Sequence, residues 1–180
     1  MRALIVFVTL SLFMTPALAG KYRDDTIPMQ VVPSLDINRY LGTWFEIARF
    51  PNRFERNCTG VTANYAKMDN GNISVTNTCF KGALDGEKTV AKGEAWQIGP
   101  AKLKVSFVPL PLIKQIASGD YWVIHLDESY STAVVGDPSG NFGWILSRTP
   151  QMTQKAFDRA RDALRANGYD TSMLEYVLQQ

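Results

Sequence analysis

Leu35-Asp36-Ile37-Asn38-Arg39-Tyr40-Leu41-Gly42-Thr43-Trp44-Phe45-Glu46-Ile47-Ala48-Arg49 sets the architecture of the chain. Gly42 can take a tight backbone turn where the chain enters a strand, and the residues after it are rich in the β-branched and aromatic side chains that suit a pleated surface. Beyond Gly42 to Arg49, runs of the same kind cover Thr59 to Met68, Asn72 to Lys81, Lys88 to Ile98, Lys102 to Val108, Asp120 to Leu126, Thr132 to Gly136 and Phe142 to Ser147. Turn residues separate them, among them Asp69-Asn70-Gly71, Gly82 to Gly86, Gly99-Pro100, Pro109 to Pro111, Ser118-Gly119 and Asp137 to Asn141. Short strands at such spacing argue an antiparallel barrel or sandwich. Eight strands would close around an interior wide enough for side chains or one small ligand.

After Arg148 the period changes. Thr153 is placed to cap a helix, Phe157, Ala160 and Leu164 share one face, and Asn167-Gly168 supplies the stop. The pattern predicts one amphipathic helix packed on the outer wall, and Tyr176-Val177-Leu178 reads as a short edge strand.

At the other end, Met1-Arg2-Ala3, the apolar run Leu4 to Met14 and the small residues Ala17 and Ala19 describe an export signal over residues 1–19. The run is shorter than the roughly 20 residues that span a bilayer. Residues 20–34, with two prolines and the charges Arg23 to Asp25, read as an extended arm. Residues 35–180 then form a single domain. The net charge of +2 over 180 residues gives no clustered basic surface for nucleic acid. In an oxidising compartment Cys58 and Cys79 should pair, since they flank the hairpin signal Asp69-Asn70-Gly71-Asn72 almost symmetrically. A disulfide there would consume any thiol nucleophile.

Asp120-Tyr121-Trp122-Val123-Ile124-His125-Leu126-Asp127, continuing to Tyr130, and Trp144-Ile145-Leu146-Ser147-Arg148 complete a pattern with the first stretch. In order and spacing the three resemble the lipocalin family. Trp44 to Phe50, followed by Arg53-Phe54-Glu55-Arg56, resembles its bacterial outer-membrane branch. The resemblance implies an all-β fold, an eight-stranded antiparallel up-and-down barrel with one C-terminal helix packed outside. It implies a structural set of Gly42, Trp44, Asp127 and Arg148, with Trp44 across the barrel floor and Arg148 stacked on it. Such stacking contributes about 0.5 to 2 kcal/mol. Members of that branch are commonly lipoproteins whose signal is followed by a lipidated cysteine. Gly20 stands at that position here, so the expectation is a periplasmic or secreted protein without a lipid anchor.

Strand alternation anchored on these motifs gives the cavity candidates. With Arg148 and Trp144 on the inner face of the last strand, Trp144 and Leu146 line the interior. Lys104 should face water, which turns Leu103, Val105 and Phe107 inward. The resemblance turns Tyr121, Val123 and His125 inward on the central strand. On the first strand, parity from Trp44 carries Glu46, Ala48 and Phe50 inside unless a bulge intervenes; a glutamate in an apolar cup is costly.

The expected function is non-catalytic: binding, storage or transport of a fatty acid or lysophospholipid for cell-envelope maintenance, with no metal and no cofactor. Two rivals stand beside it, a lipocalin-type enzyme acting on a small lipophilic substrate and a haem or pigment carrier using His125. The segment Phe107-Val108-Pro109-Leu110-Pro111-Leu112-Ile113 is apolar for a loop. It is expected either to touch a membrane peripherally or to fold into the mouth of the cup. The oligomeric expectation is a monomer or weak homodimer.

Overall fold

The computed structural model describes residues 22–179; the expected export signal and Gly20 lie outside them. The chain opens with a helical turn, α1 (Ile37–Tyr40), whose first amides are capped by the Asp36 side chain. Eight strands follow: β1 (Gly42–Arg49), β2 (Cys58–Lys67), β3 (Ile73–Lys81), β4 (Lys88–Gly99), β5 (Lys102–Ser106), β6 (Gly119–Leu126), β7 (Thr132–Gly136) and β8 (Gly143–Ser147). Each pairs antiparallel with the next, and β1 pairs with both β2 and β8, so the sheet closes into a barrel.

Strand limits follow local hydrogen bonds. Strand β3 begins at Ile73 because the Asn72 amide is held by the Asn70 side chain in the preceding turn. Strand β5 stops at Ser106, two residues before the expected Val108. The Ser106 hydroxyl accepts from the Val108 amide and donates to the Ala117 carbonyl, turning the chain out of the sheet. A short helix, α2 (Pro111–Lys114), lies in the loop that follows.

The pairing shifts register at four places, and the shifts on β1 and β6 reset which expected cavity residues face inward. Glu46 pairs with Leu146, but Ala48 pairs with Ile145, so one residue of β1 is extra. Val123 pairs with Val135 and His125 with Val134, a second irregularity on β6. A one-residue slip reverses every later side chain. Ala48 and Phe50 therefore join the outer cluster with Ile124, Val134 and Ile145.

That outer cluster is covered by α3 (Gln154–Ala166), capped by the Thr153 hydroxyl and ended at Asn167. Its buried stripe is Phe157, Ala160 and Leu164, as the periodicity predicts. Tyr169 stacks on Phe50, which stacks on Tyr22 from the arm. Gly143 leaves room for this, since a Cβ there would lie 2.9 Å from the Phe50 ring.

The arm is pinned rather than loose. Arg23 is buried and donates to the carbonyls of Asn167, Pro138 and Ile27, while the Val32 amide bonds to the Val123 carbonyl. At the C-terminus a two-residue strand, β9 (Glu175–Tyr176), pairs with the end of β1 where β2 diverges from it. The tail continues into that gap: the Gly60 amide donates to Leu178, and the Gln179 side chain bonds the carbonyls of both Glu46 and Val61. Cys58 and Cys79 form a disulfide between β2 and β3 and pack with Val61 and Val177.

Candidate ligand cavity

One end of the barrel is plugged. Trp44 is fully buried and its indole nitrogen donates to the Tyr40 carbonyl at 2.8 Å. The Arg148 guanidinium lies 3.9 Å above the Trp44 ring and donates to the carbonyls of Thr43, Arg39 and Leu41 at 2.8 to 2.9 Å. Gly42 has a φ of +93°, and a Cβ there would press within 3.3 Å of an Arg148 nitrogen, so glycine serves both the turn and the close approach. Asp127 holds its turn by accepting from the Ser131 and Thr132 amides at 2.7 and 2.6 Å. Burial works against its charge, but those bonds and the Ser129 and Ser131 hydroxyls outweigh it and hold the carboxyl below its ordinary range. The four residues expected to act structurally thus sit at or beside the plug.

Above the plug an apolar cavity of about 100 Å³ runs toward the loops that join β1 to β2 and β5 to β6. Of the residues expected to line it, Leu103, Val105, Phe107, Tyr121, Trp144 and Leu146 do so. Val123 faces the interior but is packed with Trp44, Ala133 and Val135 instead of bordering open space. Phe50 and His125 are corrections. Phe50 is sealed in the outer aromatic stack by the β1 bulge. His125 lies past the β6 bulge, opposite Val134 of the outer cluster, with Arg159 of α3 and Asp127 as its charged neighbours. Its partial burial lowers the imidazole pKa.

The wall also includes Val61, Ala63 and Tyr65 on β2 and Ile73, Val75 and Asn77 on β3. Their alternate spacing on each strand was a signal available in the sequence. Tyr121 joins Tyr40 and Tyr65 in a hydroxyl chain, with O···O distances of 2.7 and 2.9 Å. Burial raises all three phenols above their ordinary range, so each stays protonated.

Toward the loop end the lining becomes acidic. Glu46 is 4% exposed and takes a 2.9 Å bond from Arg49. Burial and the Glu55 carboxyl, within hydrogen-bond reach, push its pKa well above the carboxylate range despite that guanidinium. Glu55, from the loop between β1 and β2, accepts from the Trp144 indole at 3.0 Å and from Asn52. Phe142 lies parallel to Trp144, with centroids 5.8 Å apart, and Phe54 stacks on Phe142. Among the described residues no cluster of histidine, cysteine, aspartate and glutamate could hold a metal ion.

Comparison with known proteins agrees with this geometry. The sequence model of the lipocalin-like domain matches residues 35–179. Temperature-induced lipocalin-1 of Arabidopsis thaliana is 38% identical over 84% of this chain and 83% of its own length. The outer membrane lipoprotein Blc of Escherichia coli K12 is 39% identical over 83% and 82%. Among solved structures, lobster apocrustacyanin A1 superposes with a TM-score of 0.63 at 17% identity, covering 86% of this chain and 93% of that one; at that identity the likeness speaks for the fold alone.

Proposed function

The chain belongs to the lipocalin-like family, a family of carriers for small hydrophobic molecules, and from that premise we propose that it binds and carries a single-chain fatty acyl lipid of the fatty acid or lysophospholipid class. The observation that carries this reading is the apolar cavity above the Trp44 plug, walled by Leu103, Val105, Val61, Val75 and Leu146. Each methylene taken from water into such a wall contributes roughly 0.8 kcal/mol before the cost of immobilising the ligand. His125 pairs with Val134 of the outer cluster, and so is not placed to offer an axial ligand to a haem in the cavity.

Export by the N-terminal segment, delivery to the periplasm or exterior and a part in envelope maintenance belong to the same proposal; the relatives named outer membrane lipoprotein support an envelope setting. So does a peripheral membrane contact through the loop after β5. Leu112 and Ile116 there are 93% and 87% exposed, and Leu110 and Ile113 are exposed beside them. Among the described residues of this segment, Phe107 is the one that lines the cavity.

The test is displacement of a fluorescent single-chain acyl probe by lysophospholipids that differ only in chain length. Affinity should tighten with each added methylene pair and fall in Trp144→Arg. Absence of saturable probe binding would overturn the carrier reading.

A further inference from the structure

Resting on the reading of the cavity as an acyl-chain site, we propose that it selects lipids whose head group donates hydrogen bonds or carries positive charge, a hydroxyl or an ammonium, and rejects the free carboxylate of a fatty acid. Among the described residues that line the cavity, those with ionisable acid or base side chains other than tyrosine are both carboxylic acids. Glu46 and Glu55 both line it, within hydrogen-bond reach of each other. Asn77 Oδ1, on β3 in the same lining, is shut off from solvent and has no hydrogen-bond partner among the described residues. A buried acceptor left unpaired costs about 1–3 kcal/mol, a cost that a donor on the ligand would remove.

Donors and cations are scarce by comparison. Among the described residues that line the cavity there is no lysine, arginine or histidine. Arg49 is engaged, one nitrogen on Glu46 at 2.9 Å and another on the Cys58 carbonyl at 3.3 Å. The Trp144 N–H is engaged by Glu55, and two of the three tyrosine hydroxyl protons are spent on bonds among Tyr40, Tyr65 and Tyr121. One guanidinium thus faces two carboxyls. A third carboxylate, brought in by a fatty acid, would lose its water and gain no cation. Like charges crowded in a poorly solvated site disfavour ionisation of all of them. An ammonium or a hydroxyl would instead find acceptors in the carboxyls of Glu46 and Glu55, and Trp144, which lines the same cavity, offers an ammonium an indole ring.

The experiment uses one acyl chain and three heads: oleate, oleylamine and monooleoylglycerol, each displacing a neutral polarity-sensitive dye from the full mature protein at pH 7.4, below their aggregation limits. Oleylamine and monooleoylglycerol should bind at least about tenfold tighter than oleate. Glu55→Gln, on a loop and safe for folding, should narrow the gap by strengthening oleate. Oleate binding as tightly as the other two, or unchanged in Glu55→Gln, overturns the head-group proposal while leaving the acyl-carrier reading intact. If none of the three displaces the dye, the carrier reading itself fails and takes this one with it.

Discussion

Arg148 and Arg49 put the same guanidinium to opposite uses. Arg148 spreads its donors over backbone carbonyls from the chain around α1 and lays its plane on Trp44, at a half-buried end of the barrel. It closes the floor without facing an acid. Arg49 is buried and must serve the Glu46 carboxyl, with Glu55 beside it. The balance at Glu46 goes against ionisation, because desolvation and the second acid outweigh one partner. Since its pKa is raised on folding, the folded state holds the proton more tightly than the unfolded one. Stability from this group is therefore whole below about pH 4.3, the unfolded value, and is lost as the pH rises through the folded pKa. Glu46→Gln keeps the protonated shape at every pH. Its thermal midpoint, followed from pH 4.5 to 8, should vary less than that of the parent; identical profiles would show that Glu46 is ionised in the folded protein.

The elements show where a linear reading holds and where it stops. Every strand was legible, because turn chemistry such as Asp69-Asn70-Gly71 and Asp137 to Asn141 marks the breaks. The C-terminal helix was equally plain from its cap and stripe. Side-chain direction was legible only as far as the first bulge. Nothing in Glu46-Ile47-Ala48 or Val123-Ile124-His125 announces an extra residue, because a bulge is a property of the pairing and not of one strand. Phe50 and His125 were misplaced for that reason, while Leu103 and Val105, whose neighbouring irregularity adds its residue to β4 and not to β5, and Trp144 fell where expected. Glu55 escaped notice because alternation has nothing to say about a loop. The loop after β5 belongs to this scale too. Leu110, Leu112 and Ile113 replaced together by serine should lower co-sedimentation with liposomes several-fold and leave the folding midpoint within about 0.5 kcal/mol, as surface changes usually do. Undiminished co-sedimentation would rule out this loop as the contact.

For the molecule as a whole, the closed ring matters more than any single strand. The β1–β2 pairing ends at Phe45 and Thr62, and beyond it, toward the loop end, the tail fills the space. The disulfide staples the neighbouring wall, joining residues 21 apart. With both cysteines replaced by serine, the folding free energy should fall by about 3 kcal/mol in the chain-entropy account, read from the denaturant midpoint at unchanged slope. A loss below 1 kcal/mol would mean that the tail and the β2–β3 pairing already constrain that wall without the bond.

The tail that fills the gap carries a consequence for folding. The first strand takes Tyr176, Val177 and Gln179 as partners, the last of them 133 residues beyond Glu46. The ring cannot shut until that distant segment has been made and has come back to β1. A closure that waits on so remote a contact is a late and slow step of folding.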